Sequence, residues 1–268
     1  MSKVVLITGG SSGIGKTVGV YLKSKGYTVY GSSRKPESVA NSPFPLVAID
    51  VRNNETINVA VQQIVKQEGR IDVLINNAGV GITGPIEEIP LEEIQNNFHT
   101  NVFGPIEVMK AVLPFMREQK KGLIINVTSI AGYMGLPYRG VYSASKGALE
   151  LITEAIRMEV KPFNIKVTNV APGDFATDIA SRRFHAPIVE HSPYKEIYSQ
   201  QLATINDHVN DGGDPLDMAI AIEKIIEGNN PKVHYKVGAF MQKFSILLKK
   251  VLPDTMYEKM LMNHYKIK

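Results

Sequence analysis

One stretch near the amino terminus limits the fold more than any other. Val4-Val5-Leu6-Ile7, a short apolar run rich in β-branched residues, passes directly into Thr8-Gly9-Gly10-Ser11-Ser12-Gly13-Ile14-Gly15. Beyond it, Ile14, Val18, Tyr21 and Leu22 recur at helical spacing, and Gly26 gives a stop signal. A strand that turns through glycines straight into a helix is the opening of a βα unit. It is also the context a phosphate-binding loop requires. Gly9 permits the tight turn, Gly13 lets the backbone approach a pyrophosphate, and Gly15 lets helix and strand pack closely. Ser11, Ser12 and Ile14 sit in the same loop, where free N–H groups at the helix start face an anion. An ordinary βα turn is the competing reading of the glycines alone.

The rest of the chain repeats the rhythm. Strands are expected at 27–32, 45–50, 71–75, 122–128, 165–171 and 233–237. Helices are expected at about 53–67, 91–104, 105–118, 142–161 and 214–228. Alternation of this kind indicates an α/β fold, a doubly wound parallel seven-stranded sheet of the Rossmann type, in one domain. Ligands of such sheets bind beyond the carboxyl ends of the strands.

The second strand ends in Ser32-Ser33-Arg34-Lys35, with no acidic residue to hold ribose hydroxyls. A guanidinium and a neighbouring hydroxyl suit a 2′-phosphate, so Ser33 and Arg34 point to NADP(H). A solvated surface arginine is the alternative. The third strand closes on Asp50-Val51, where a carboxylate can accept from an adenine amino group and a valine can pack on the ring. Asp50 could equally cap the next helix.

Tyr142 and Lys146 lie four residues apart and so share one face of a helix. An ammonium group close to a phenol favours the phenolate and makes tyrosine a usable proton donor near neutral pH. Taken alone, the pair is also compatible with a packed tyrosine beside a solvated lysine.

The 268-residue chain has no cysteine, which excludes thiolate chemistry and cysteine-bound metal. Its six histidines are scattered, and no metal site is expected. A net charge of +4 without a basic run gives no sign of nucleic-acid binding. No apolar run reaches the roughly eighteen residues of a spanning helix. The opening run is too short for a signal peptide, so a cytoplasmic protein is expected.

Together, Thr8-Gly9 with Gly13 and Gly15, Asn76-Asn77-Ala78-Gly79, Asn101, Ser129, Tyr142 with Lys146, and Pro172-Gly173 with Thr177 resemble the short-chain dehydrogenase/reductase family over residues 3 to 237. The resemblance implies an oxidoreductase acting on a carbonyl or secondary alcohol. Tyr142 would be the general acid or base. Lys146 would tune it and bind the nicotinamide ribose. Ser129 would hold the substrate oxygen, and Asn101 would hold a water that links Lys146 to solvent. Ile14, Asn77, Ala78, Gly79, Pro172 and Gly173 would touch the cofactor, and Thr177 its carboxamide or pyrophosphate. A homodimer or homotetramer is implied as well.

Residues 174 to 213 break the rhythm and read as a lid or substrate loop. The chain then continues past the seventh strand for about thirty residues, 239–268. Phe240, Phe244, Leu247, Leu248 and Val251 are expected on one helical face, with a second short helix after Pro253. This tail resembles those of steroid- and retinol-dehydrogenase-like members. Three readings stand for it: packing on the body or a partner subunit, covering an apolar substrate pocket, or lying on a membrane surface. With Tyr133, Met134, Leu136, Phe175 and Phe184 as pocket candidates, the expected substrate is lipophilic. A ketoacyl thioester is the other enzyme reading, and a catalytically silent NADP-binding protein the reading from another class.

Overall fold

A computed structural model describes residues 2–175, 183–210 and 212–267. In chain order the elements begin β1 (Val4–Ile7), α1 (Gly13–Ser24), β2 (Thr28–Ser33), β3 (Leu46–Ala48), α2 (Asn54–Glu68) and β4 (Val73–Asn76). There follow β5 (Ile82–Thr83), α3 (Leu91–Phe98), a π-helical turn at His99–Phe103, α4 (Gly104–Glu118) and β6 (Gly122–Val127). The second half holds α5 (Gly140–Glu159), β7 (Ile165–Pro172), β8 (Phe184–His185), α6 (Lys195–Asn210), α7 (Pro215–Glu227), β9 (His234–Val237), α8 (Phe240–Val251) and α9 (Asp254–His264).

Seven strands form one parallel sheet in the order β3-β2-β1-β4-β6-β7-β9. The alternation of side chains along each strand supplies both faces of the sheet with apolar groups. Val4, Leu6, Leu74, Ile124 and Val167 join the core beneath α2, α4 and α5, which includes Ile57, Val108 and Val112. Their neighbours Val5, Ile7, Ile75, Ile125 and Val170 join the opposite core with Val18 and Leu22 of α1 and Met218 and Ile222 of α7. The chain leaves β1 toward β2 on one side and returns through β4 on the other. Between β1 and β4 the sheet order therefore reverses, and a crevice opens at their carboxyl ends.

The described residues of 174–213, the stretch expected as a lid or substrate loop, include regular elements. They contain the 16-residue helix α6, and β8, which pairs in parallel with β5 through Ile82–Phe184 and Thr83–His185. Helix α6 buries Tyr198, whose hydroxyl donates to the Thr83 carbonyl at 3.2 Å. In the tail both helices form, but the buried stripe is not the expected one. Phe240, Leu247 and Val251 are exposed, and Ile246 is the residue of α8 that is buried. A counted helical face identifies an apolar stripe, but the body chooses which stripe it covers. Here the small cluster of Ile130, Met134 and Ala171 takes Ile246 together with Tyr257 of α9.

Candidate active site

The glycine turn is clamped to the neighbouring strand by one threonine and one asparagine. Thr8 Oγ1 accepts from the backbone N–H groups of Asn77 and Ala78, both at 3.0 Å. Asn77 Nδ2 in turn donates to the carbonyls of Thr8 at 3.0 Å and Gly9 at 3.2 Å. On the other side, Ser32 Oγ accepts from Gly9 N–H at 3.0 Å. Gly9 and Gly13 adopt left-handed φ values of 64° and 53°, which side-chain-bearing residues rarely take. Gly15 is buried behind the loop, where a Cβ would lie 2.4 Å from the Gly9 carbonyl oxygen. The start of α1 therefore lies directly against the turn, with its free N–H groups facing the crevice.

From this turn a groove of about 1290 Å³ runs along the carboxyl ends of the strands. Gly9, Ser11, Ser12, Gly13 and Ile14 of the turn line it, together with Asn77, Ala78 and Gly79, which are clamped against the turn. Ser33, Arg34, Asp50 and Val51 line one end; Tyr142, Lys146 and Pro172 line the other. Gly173 and Ser129 line a smaller adjoining cavity that also contains Tyr142. Gly15 does not line the groove; it supports the turn. Thr177 lies outside the described residues.

The end near β2 and β3 is basic. Arg34, Lys35 and Arg52 all line it. Burial pushes the Asp50 carboxyl up, but hydrogen bonds and charge from Arg52, with Arg34 beyond, outweigh burial and hold it below its ordinary value. Both Asp50 oxygens are engaged by the Arg52 guanidinium, at 3.2 and 3.1 Å. Asp50 thus orients a second guanidinium beside the groove. The sequence reading missed Arg52, because an arginine two residues past a carboxylate has no distinctive spacing. It missed Ser32 as well.

At the other end, α5 carries Tyr142 and Lys146. Lys146 is buried, and its Nζ donates to the Val127 carbonyl at the end of β6 at 3.0 Å. Burial holds its ammonium below the ordinary lysine value, with the charges of Tyr142 and Glu150 opposing that shift. Asn101 sits in the π-helical turn and is fully buried. Its Oδ1 accepts from Val80 N–H at 2.9 Å, and its Nδ2 reaches the Val80 carbonyl at 2.9 Å and Ser145 Oγ at 3.1 Å. Its side chain therefore fixes the backbone after Gly79. A Cβ on Gly79 would meet Asn101 Oδ1 at 3.2 Å and Lys146 Nζ at 3.3 Å, so both groups converge on that glycine. Ser129 is buried at the end of β6, and its Oγ accepts from Ala131 N–H at 3.2 Å. The hydroxyl proton remains available to a substrate oxygen. The Arg139 guanidinium stands 5.5 Å from the centre of the Tyr142 ring, so a second cation neighbours the phenol.

Behind this end lies a buried carboxylate that spacing does not reveal. Glu150, one turn beyond Lys146, accepts from Thr128 Oγ1, from the Tyr133 hydroxyl at 2.9 Å and from Asn169 Nδ2 at 2.8 Å, and pairs with His234 Nδ1 at 2.8 Å. Of the apolar pocket candidates, Tyr133 is thereby committed to the interior. Met134 and Leu136 pack with the tail. Phe175 lines the small cavity and Phe184 the groove. The tail reaches the same region: Gln242 Nε2 donates to Asp174 Oδ2 at 2.8 Å, and the buried Tyr265 phenol sits beside the charge of Arg139. No described helix is long and apolar enough to cross a membrane.

Residues 3–187 match the family model described as short chain dehydrogenase. The chain is 42% identical over 267 residues to 3-ketodihydrosphingosine reductase of Bacteroides thetaiotaomicron, covering 99% of each. Among solved structures it resembles a short-chain dehydrogenase from Streptomyces avermitilis, with a TM-score of 0.82 at 29% identity, over 99% of this chain and 96% of that one. It also resembles a short chain dehydrogenase from Burkholderia cenocepacia in complex with NADP, with a TM-score of 0.76 at 26% identity, over 96% and 97% of the two chains. With a doubly wound sheet, a glycine turn at its switch point and Tyr142 and Lys146 on one helical face, the chain belongs to the short-chain dehydrogenase family of oxidoreductases acting on CH–OH or C=O groups.

Proposed function

We propose that this protein is an NADP(H)-dependent oxidoreductase for a lipophilic ketone or the corresponding secondary alcohol. The observation that carries the proposal is the arrangement of one groove, with hydroxyl and guanidinium groups at one end and Tyr142, Lys146 and Ser129 at or beside the other. The glycine turn fits a dinucleotide, because the left-handed glycines and the absent Cβ atoms leave the α1 N–H groups open to a pyrophosphate. Bound there, the cofactor would supply or accept the hydride.

The chain's own groups account for the rest. Tyr142 gives its hydroxyl proton to the carbonyl oxygen during reduction, or takes one from the alcohol during oxidation. Ser129 donates a hydrogen bond to the same oxygen as negative charge grows there. Lys146, held by the Val127 carbonyl and lining the same end of the groove as Tyr142, would bind the nicotinamide ribose. Asn101 is a positioning residue, since it holds the Val80 backbone and the turn that backs Lys146.

The phosphate preference follows from Ser33, Arg34, Lys35 and Arg52. Arg34→Ala should weaken NADPH binding about ten- to a hundredfold, as loss of a charge-assisted bond worth roughly 1.5–3 kcal/mol implies. NADH binding should change far less. Equal losses in a fluorescence titration of both nucleotides would remove the assignment.

The lipophilic reading draws on Ile14, Ile82, Phe175 and Phe184 around the reacting end. The name of the relative from Bacteroides favours a long-chain ketone over a steroid or retinoid ring. With NADPH and a panel of 3-ketodihydrosphingosine, long- and short-chain 3-ketoacyl thioesters, ketosteroids and retinal, turnover should favour long-chain ketones. Preference for short polar ketones would sink the lipophilic assignment, and preference for thioesters would replace it with the acyl reading.

A further inference from the structure

Beside Tyr142 the smaller cavity, of about 70 Å³, is lined by two guanidinium groups, Arg139 and Arg183. Arg183 precedes β8 and is only 8% exposed. Its stem lies against Gly81, where a Cβ would meet its Cγ at 2.8 Å and its Nε at 3.0 Å. The missing side chain at Gly81 is what admits the arginine to this position. Arg183 Nη1 is buried and, among the described residues, has no hydrogen-bond partner. Burial and the like charge of Arg139 both act against the Arg183 charge, while Tyr142 and Asp174 favour it. Asp174, the carboxylate lining the same cavity, has one oxygen occupied by Gln242. Among the described residues neither arginine makes an ion pair within 4.0 Å.

A buried guanidinium with an unused donor is costly, and an acceptor entering the cavity would offset that cost. A planar fork next to a second cation matches a carboxylate in shape and charge, and repels an ammonium. We infer that Arg183, with Arg139, forms a subsite for a carboxylate on the substrate, so that the preferred ketone carries its acid group close to the reacting carbonyl. The inference rests on the ketone-reductase reading and adds the head group to it. The carbonyl oxygen would meet Tyr142 and Ser129 while the acid group fills the cavity and the alkyl chain runs out past Phe184. Reduction then yields the hydroxy acid, with hydride on the carbonyl carbon and the Tyr142 proton on its oxygen.

The test compares a long-chain 3-oxo acid with its methyl ester and with 3-ketodihydrosphingosine, using the NADPH-loaded full chain. Calorimetry gives affinity for the corresponding hydroxy acid and hydroxy ester, and kcat/KM gives turnover. The wild-type protein should favour acid over ester at least about tenfold in both, as one charge-assisted hydrogen bond implies. Arg183→Leu should collapse that ratio, chiefly through KM, and Arg183→Lys should retain part of it. Retained NADPH affinity shows that the variants are folded, and competition of the hydroxy acid against the ester in the wild-type protein gives the same answer without a variant. A ratio near one, a ratio that survives Arg183→Leu, or a preference for the amino ketone overturns the subsite. Turnover of the ester keeps the reductase reading in any of these cases; loss of all ketone turnover with acid binding intact removes that reading alone.

Discussion

Tyr142→Phe should lower kcat by about 10²–10⁴, the usual worth of a positioned general acid, while NADPH affinity stays near the wild-type value. The substitution removes one oxygen and little else. The ring packs against the cluster of Ile82, Val141 and Tyr198, and phenylalanine keeps those contacts. The Arg139 guanidinium keeps an aromatic face, and Lys146 keeps its bond to the Val127 carbonyl. A rate loss therefore reports the missing proton. Stopped-flow measurement of a single reduction, beside a nucleotide titration, separates chemistry from binding. Full activity in the variant would remove Tyr142 from the reaction. Absence of any turnover in both proteins, across the ketone panel, would favour a nucleotide-binding role without catalysis.

Gly15→Ala should damage binding and stability together. The new methyl would lie 2.4 Å from the Gly9 carbonyl oxygen and 2.5 Å from Asn77 Nδ2. Neither neighbour is free to retreat. Gly9 is held by Ser32, and Asn77 closes the clamp with Thr8. The start of α1 must then move off the turn, at about 1–3 kcal/mol, as overpacking of a close contact costs. For a chain of this size that is a fall in Tm of roughly 2–10 °C. The displaced N–H groups no longer meet the anion squarely, so NADPH affinity should fall at least about tenfold. An unchanged affinity with a lowered Tm would mean that α1 does not contact the phosphates. Gly26→Ala serves as a control, because a Cβ there meets nothing within 4 Å among the described residues; it retains the strain of a φ of 88° but not the collision.

How far the sequence could be read depended on the range of the interaction that decides each feature. Strand positions and the glycine turn are governed by local patterns, such as the Val4–Ile7 run, as is the Tyr142–Lys146 spacing, and these were legible; the order of the strands in the sheet was not. The two helices expected to meet at 104 and 105 instead run on through a π-helical turn at His99–Phe103 around Asn101, a local widening that spacing does not show. Arg183 gave no signal, since its place depends on the missing side chain of Gly81, about a hundred residues earlier. Glu150 looks like any acidic residue on an exposed helix until Thr128, Tyr133, Asn169 and His234 are brought around it. The tail shows the same limit. Periodicity marks Phe240 and Val251 as apolar, yet Ile246 is buried because the patch made by Ile130 and Met134 faces that side of α8.

Gln242 on Asp174, and Tyr265 beside Arg139, join the far end of the polypeptide to the wall around the reacting centre. Two stretches separated by α7 and β9 thus act as one part. Chimeras that exchange substrate preference between relatives would have to carry the insertion after β7 and the terminal helices as a pair. Either one moved alone would face a partner shaped for a different molecule.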